Sequence, residues 1–441
     1  MFEGEKNPVS TDITFTSMNI LILGSGGRES AFAWKIAQSK HCSNLFIAPG
    51  NAGTMAYGKN IPIQPTDFES IAKFVLGNKI DLVLVGPEEP LVNGIHDFFL
   101  QRDDLKHIAI VGPQKEGAQL EGSKNFSKQF MMKYGIPTAT FKSFTKQSLL
   151  DGLKYLEAQQ FPIVLKADGL AAGKGVLICE NVLDAQTELK AMLEDSKFGL
   201  AGNTVVIEQF LRGIELSVFV LTDGKSYKIL PEAKDYKRIG VGDTGLNTGG
   251  MGSVSPVPFA DEAFMTKVED RIIIPTIDGL MKEGIPYQGF LFVGLMNVAC
   301  DPYVIEYNVR MGDPETESVI PRIESDFVEL LMGVADGNLE EQELIISPKI
   351  ATTVMLVAGG YPGNYSKGHP ISGIENVRHS LIFHAGTEMN NTFVKTSGGR
   401  VLAVTSLKDN LFDAIQTAVA DAGRIYYNGR YFRTDVGVDV L

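Results

Sequence analysis

Glu306, Asn308 and Arg310 fall two apart in the stretch 303–315 and put a carboxylate, an amide and a guanidinium at the end of an apolar run. In an extended chain alternate side chains share a face, so Val304, Glu306 and Asn308 are expected on one side, with Ile305 and Tyr307 on the other. Two oxygen donors so placed suit one hard cation such as Mg²⁺, which keeps few protein ligands and leaves its other positions to water and nucleotide phosphates. Arg310 suits a planar carboxylate or a phosphoryl group held by paired hydrogen bonds. The same stretch also reads as a polar strand end closed by an Asp-Pro turn.

Other segments join glycine to charge. Gly24-Ser25-Gly26-Gly27-Arg28-Glu29 follows an apolar run. A dinucleotide fingerprint needs glycine where Glu29 stands and an acid after the next strand, which residues 48–51 do not supply. The loop therefore reads as backbone N–H groups at a helix start, sufficient for one sugar phosphate, or as a tight strand-to-helix turn. Loop 168–175 lacks the Ser or Thr that follows the lysine of a Walker sequence. With Lys166 before it and Lys174 inside it, this loop can close over a triphosphate, or it is a surface hairpin with solvated lysines. Glu208-Gln209-Phe210-Leu211 with Glu215 reads equally as a contact for adenine and ribose or as plain strand. Asp235-Tyr236-Lys237-Arg238 and the glycine-rich 243–252 suggest a loop that encloses a substrate.

The elements that must position these groups follow from the apolar pattern. Ile20 to Leu23, Leu45 to Ile47, Leu82 to Val85 and Ile108 to Val111 are short apolar runs alternating with helical stretches, as a parallel α/β sheet requires. Ser123 reads as an N-cap, and Phe126, Phe130 and Tyr134 mark one helix face that ends at Gly135. Strands are expected at 163–167, 176–179, 205–211, 215–222 and 226–230, helices near 182–195 and 261–283, and a hairpin over 289–308. A last α/β segment spans strands near 352–358, 381–385 and 401–406 and a helix near 409–426.

A chain of 441 residues exceeds one hydrophobic core and suggests about three domains. With 44% hydrophobic residues and clustered rather than repetitive glycine it is a folded protein, not a disordered one. A net charge of −13 argues against a partner that tracks nucleic-acid phosphates. Cys42, Cys179 and Cys300 are too dispersed for a zinc site or a disulfide framework, which fits a reducing cytoplasm. No apolar window of about 18 residues marks a membrane span, and residues 1–17 lack the pattern of a signal peptide. They read as a poorly ordered extension. The six histidines show no zinc spacing, Trp34 reads as core, and no Gly-x-Ser-x-Gly elbow is present.

Taken in order, the loop 24–29, Ala48-Pro49-Gly50-Asn51, Val85-Gly86-Pro87-Glu88, the run 166–175, Asn247-Thr248-Gly249-Gly250-Met251-Gly252 and Arg310-Met311-Gly312-Asp313-Pro314-Glu315 resemble the glycinamide ribonucleotide synthetase family from Met18 to the C-terminus. The resemblance implies an α/β protein with an N-terminal parallel α/β domain (18–120), a two-lobed ATP-grasp domain (121–195 and 196–335) and a small C-terminal α/β domain (336–441). It implies ATP-dependent joining of glycine to 5-phosphoribosylamine through glycyl phosphate, in a cytoplasmic monomer or weak dimer with no membrane or nucleic-acid partner. Residue by residue it places Mg²⁺ or Mn²⁺ at Glu306 and Asn308. ATP falls to Lys166, Gly173, Lys174 and Gly175, and adenosine to Glu208, Gln209, Phe210, Leu211 and Glu215. Catalytic roles fall to Arg310, Asp235, Lys237 and Arg238. Gly26, Gly27, Arg28, Glu29, Asn51, Pro87 and Glu88 would meet phosphoribosylamine or glycine, together with Gly249, Gly250, Met251, Gly252, Asp313 and Glu315. The family usually has His at Ser30 and Tyr236, Pro at Leu246 and Phe at Met311, which puts an imidazole contribution at the first two in doubt. Other carboxylate-activating ATP-grasp enzymes, and a nucleotide sensor without chemistry, are the rival readings.

Overall fold

The computed structural model describes residues 17–170, 175–194 and 202–441. The expectations for the N-terminal extension and for Gly173 and Lys174 fall outside the described residues.

Five parallel strands open the chain: β1 (Met18–Gly24), β2 (Cys42–Pro49), β3 (Lys59–Asn60), β4 (Leu82–Val85) and β5 (Ala109–Val111), in the order β3-β2-β1-β4-β5. Their continuous apolar runs serve two cores. Leu21, Leu23, Val83 and Val85 feed one, and Ile20, Ile22, Leu82 and Leu84 feed the other. The carboxyl ends of β1, β2 and β4 deliver the glycine, Pro-Gly-Asn and Gly-Pro-Glu loops to one edge, where ligands of open α/β sheets bind.

A second sheet, antiparallel, holds β6 (Phe141–Thr145), β7 (Ile163–Ala167), β8 (Val176–Cys179) and β9 (Thr204–Gln209) in the order β6-β9-β7-β8. The Ser123 hydroxyl caps the helix Lys124–Lys133 by accepting the Phe126 N–H at 3.0 Å.

Then follow β10 (Ile214–Thr222), β11 (Tyr227–Asp235), the small hairpin β12 (Arg238–Gly240) and β13 (Thr244–Asn247), β14 (Gly252–Ser255), β15 (Gly289–Val298), β16 (Asp301–Asn308), β17 (Ile350–Val357), β18 (Leu381–His384), a second small hairpin β19 (Thr387–Met389) and β20 (Val394–Thr396), and β21 (Arg400–Lys408). Eight of these form one sheet, β16-β15-β10-β11-β14-β17-β21-β18. The pairing of β14 with β17 thus joins the middle of the chain to the C-terminal segment by backbone hydrogen bonds. Strand β11 runs on to Asp235, beyond the expected end at residue 230, because β14 pairs with its last turn of chain at Lys234 and Asp235. Trp34, expected in the core, is half-buried and lies edge-on to Phe383 of β18 with ring centroids 5.9 Å apart.

Candidate active site

One expectation about β16 is corrected by a bulge. The register steps from Gly294 opposite Glu306 to Leu295 opposite Val304, leaving Ile305 as the extra residue. A bulge breaks the two-residue alternation, so Val304 joins Tyr307 in the core and does not share a face with Glu306. Glu306 and Asn308, beyond the bulge, remain two apart on regular strand.

Burial pushes the Glu306 carboxyl up, but the Lys166, Lys237, Lys124 and Arg310 cations around it outweigh that and hold it below its ordinary value. Arg310 bonds to Glu121 at 2.9 Å, to Glu88 at 3.2 Å and to the Asn308 amide oxygen at 3.3 Å. Glu121 also accepts the Val309 N–H at 2.8 Å. Burial, reinforced by Glu88 and Glu306 and opposed by Arg310, pushes Glu121 up to about 7. Pro87 is the N-cap that presents Glu88.

Where the sequence leads one to expect the nucleotide, Glu208 Oε2 receives Lys166 at 3.0 Å and Lys128 at 3.1 Å. Glu208 Oε1 is buried and has no hydrogen-bond partner among the described residues, so it is an open acceptor. Burial brings Lys128 down to about 8 against the pull of Glu208. Lys124 donates to the Gly169 carbonyl at 3.0 Å, at the root of the glycine loop, and Gly175 accepts the Ala167 N–H at 2.8 Å where the loop rejoins β8. Gln209 accepts the Thr140 hydroxyl at 3.3 Å, Phe210 lies under Arg212, and Leu211 follows in the connection to β10.

Glu215 pairs with Lys237 at 2.5 Å. Desolvation works against the Lys237 ammonium, yet Asp235, Glu215 and Glu306 hold it well above its ordinary value. Asp235 and Glu315 are raised by burial and by the mutual presence of carboxylates, Glu315 to about 7. Arg238, expected to be catalytic, spends one arm on the Gly245 carbonyl at 2.8 Å and so braces its own hairpin.

The loop after β1 differs from the anion cradle expected. Gly26 N–H donates to Glu29 at 2.5 Å and Arg28 N–H to Asp313 at 3.2 Å, so the protein's own carboxylates occupy the start of the helix Gly27–Ile36. Arg28 binds Glu29 at 2.7 Å and the Met311 carbonyl at 3.0 Å. A Cβ on Gly27 would stand 2.1 Å from Glu317. The Asn51 amide is used internally, donating to Ser25 and His384 carbonyls at 2.9 and 2.7 Å and accepting Gly53 and Thr54 N–H groups. Gly250 takes φ +121° and a Cβ there would meet Pro314 at 2.4 Å, so only glycine fits. Gly252 opens β14, and Met251 is fully buried against Ala31 and Met355, with its N–H and carbonyl bonded to Tyr236 and Met355; its side chain faces core.

The four departures fall into place sterically. Ser30 Oγ accepts the His384 N–H at 3.2 Å, the Tyr236 hydroxyl donates to Asp439 at 2.5 Å, Met311 is core and Leu246 is exposed. Tyr236 thereby packs in the core of the C-terminal segment. Sequence reasoning passed over Glu121, Lys124, Lys128, Tyr361 and Arg400. The spacing of Lys124 and Lys128, one helical turn apart after the Ser123 cap, was a usable signal; Tyr361 and Arg400 carry none locally.

The phosphoribosylglycinamide synthetase family matches in three parts: its N domain over residues 18–121, its ATP-grasp (A) domain over 122–316 and its C domain over 351–439. The phosphoribosylamine–glycine ligase of Pasteurella multocida is 45% identical over 424 residues, covering 95% of this chain and 97% of the relative. That of Caldanaerobacter subterraneus is 41% identical over 419 residues, with coverage of 95% and 99%. The crystal structure of the Thermotoga maritima phosphoribosylamine–glycine ligase superposes with a TM-score of 0.82 at 35% identity, covering 95% of this chain and all 100% of that one. A biotin carboxylase complex from Campylobacter jejuni, at 16% identity and a TM-score of 0.70 over 94% and 92% of the two chains, shares the fold alone. With relatives this similar over nearly its full length, the chain belongs to the phosphoribosylglycinamide synthetase family.

Proposed function

We infer that the chain is a ligase that uses ATP to join glycine to 5-phosphoribosylamine, giving glycinamide ribonucleotide, ADP and phosphate in purine biosynthesis. The observation that carries this is one connected set of polar side chains: Lys166 pairs with Glu208 and donates to the Ile305 carbonyl beside Glu306, Arg310 bonds to the Asn308 amide oxygen, and Asp313 receives Arg28 and Arg400 from opposite ends of the chain.

The chemistry follows as two displacements. The glycine carboxylate attacks the γ-phosphorus of ATP and ADP leaves; the aminosugar nitrogen then attacks the carbonyl carbon of glycyl phosphate, loses a proton and expels phosphate. Both steps call for neutralisation of charge and orientation more than for a covalent nucleophile. Glu306, held ionised, and Asn308 fit an oxygen-ligated divalent metal and would hold Mg²⁺ or Mn²⁺, which when bound offsets triphosphate charge. Lys166, with Lys174 of the loop, would meet the phosphates, and the open oxygen of Glu208 fits an N–H donor such as an adenine amino group. Arg310, fixed by Glu88 and Glu121, would orient the carboxylate and the transferring phosphoryl group. Asp235 would receive the glycine ammonium. Gly249 and Gly250 leave no space for a larger amino acid. The same reading makes the protein a cytoplasmic enzyme acting alone or as a weak dimer. Among the described residues no helix is long and apolar enough to cross a membrane.

A coupled assay with freshly generated phosphoribosylamine, glycine and ATP tests the reading. ADP release that depends on both glycine and the amine is expected. Release with formate or bicarbonate in place of glycine would instead support another carboxylate-activating enzyme of the same fold.

A further inference from the structure

The C-terminal segment grips the glycine-rich loop on both sides of one residue. Tyr361 Oη accepts the Gly249 N–H at 2.9 Å, and Arg400 Nη1 donates to the Gly249 carbonyl at 2.7 Å. The same guanidinium reaches the Asp313 carbonyl at 2.5 Å and its carboxylate at 3.1 Å. The fit is close: a Cβ on Gly249 would stand 3.0 Å from Arg400 Cζ. Nearby, Arg433 donates to Asp243 at 2.6 Å and to the Arg238 carbonyl at 3.1 Å, bracing the β12–β13 hairpin from the same side. Arg400 itself is the first residue of β21, which pairs with β17 along its length, so the grip is anchored in the eight-stranded sheet.

A segment with glycine at 245, 249, 250 and 252 loses much backbone entropy on ordering. Local bonds hold its flanks, with Thr248 N–H donating to the Lys237 carbonyl at 2.7 Å and the Thr248 hydroxyl accepting the Gly250 N–H at 3.0 Å, and the Gly249 N–H and carbonyl take their partners from the C-terminal segment. Met251 anchors one point in the core, and the peptide before it is held by Tyr361 and Arg400. Neither of these residues bonds to Lys128, Lys166, Glu208 or Glu306, which line the nucleotide and proposed metal end.

We propose that Arg400 and Tyr361 are positioning residues of the ligation, fixing the glycine-rich loop and Asp313, to which the proposed function gives the amino acid and the aminosugar. This rests on the ligase reading above. The C-terminal segment then contributes to recognition of those two substrates and not of ATP.

The test uses the full chain with Arg400→Met, Arg400→Lys and Tyr361→Phe, followed by hydrogen exchange over residues 236–252 and by steady-state kinetics. Arg400→Met and Tyr361→Phe are expected to speed exchange at the Gly249 amide by about tenfold or more, as local opening becomes easier. The KM for glycine and phosphoribosylamine should rise by about tenfold to a hundredfold for Arg400→Met, with the KM for ATP within about twofold of wild type. Arg400→Lys, which keeps the charge but not the fork, should recover part of the loss. Unchanged exchange in both Arg400→Met and Tyr361→Phe overturns the proposal, as does a KM for ATP that rises in step. Defects confined to Arg400, with Tyr361→Phe indistinguishable from wild type, also overturn it, since Arg400 would then act by itself. If Arg400→Met fails to fold, Tyr361→Phe decides. A wild-type protein without glycine-dependent ADP release sinks the ligase reading, while the exchange measurement still decides whether the grip exists.

Discussion

Arg310 Nη2 lies 2.9 Å from Glu121 Oε1, a contact between residues 189 apart in the chain, and it fixes the guanidinium that follows Glu306 and Asn308. The other Glu121 oxygen takes the Val309 N–H, so one carboxylate holds both the side chain and the backbone of this corner. Removing it frees the arginine to which the proposed function gives the reacting carboxylate and phosphoryl group, and leaves a buried N–H unpaired. Glu121→Ala is expected to lower kcat by about a hundredfold, in the range that a bond to a charged group supports. Glu121→Gln, which keeps an acceptor, should lose less. Wild-type turnover in both variants would show that Glu121 does not position Arg310.

Glu306→Ala and Asn308→Ala should each remove most turnover while leaving the melting temperature near wild type, because neither side chain packs in the cores. The loss should be larger for Glu306, which carries the charge among four cations. Titration of Mn²⁺ followed by its paramagnetic signal separates a binding defect from a chemical one. Unaltered Mn²⁺ affinity in Glu306→Ala would place the metal elsewhere.

The difference between what was legible in the sequence and what was not is physical. The strands of the first sheet were readable because both faces are buried and every residue in Ile20 to Leu23 is apolar. Glu306 and Asn308 were readable because the pair lies on regular strand, whereas the face of Val304 was not, since a one-residue bulge at Ile305 leaves no local mark. The surroundings of Gly26 were hidden for a similar reason: nothing in the loop shows that Asp313, far along the chain, will take the Arg28 N–H. Arg400 and Tyr361 lie more than a hundred residues from the Gly249 they hold, where periodicity and spacing carry no information.

The pH dependence of stability follows from Glu121 and Glu315, both raised from 4.5 to about 7, with burial as the leading cause. A carboxyl raised in the folded state keeps a proton that the unfolded chain gives up. Its contribution is complete below about 4.5 and is lost as the pH rises through about 7, on the order of 1–3 kcal/mol per group. The melting temperature of the ligand-free protein should therefore fall between pH 5 and pH 8. Glu121→Gln should flatten that fall. A wild-type midpoint that rises over the same range would reverse the sign and contradict the assignment.

Glu317 gives the sharpest case, because both its oxygens are buried without a hydrogen-bond partner among the described residues. Burial, with Asp313 adding to it and Arg400 opposing, pushes this carboxyl well above its ordinary value. Its Oε1 lies 2.1 Å from where a Cβ on Gly27 would stand. At pH 5 the acid and an amide of the same shape are near equals. At pH 8 the unfolded chain ionises the acid freely while the folded chain must either keep the proton or bury a charge, and Glu317→Gln escapes that choice. The variant is expected to match wild type at pH 5 and to exceed it by about 1–3 kcal/mol at pH 8. Urea denaturation at the two pH values measures the difference. A glutamine variant less stable than wild type at pH 8 would mean that Glu317 is ionised in the fold and held by a cation, and that its neighbour Arg400 binds it more strongly than Asp313 repels it.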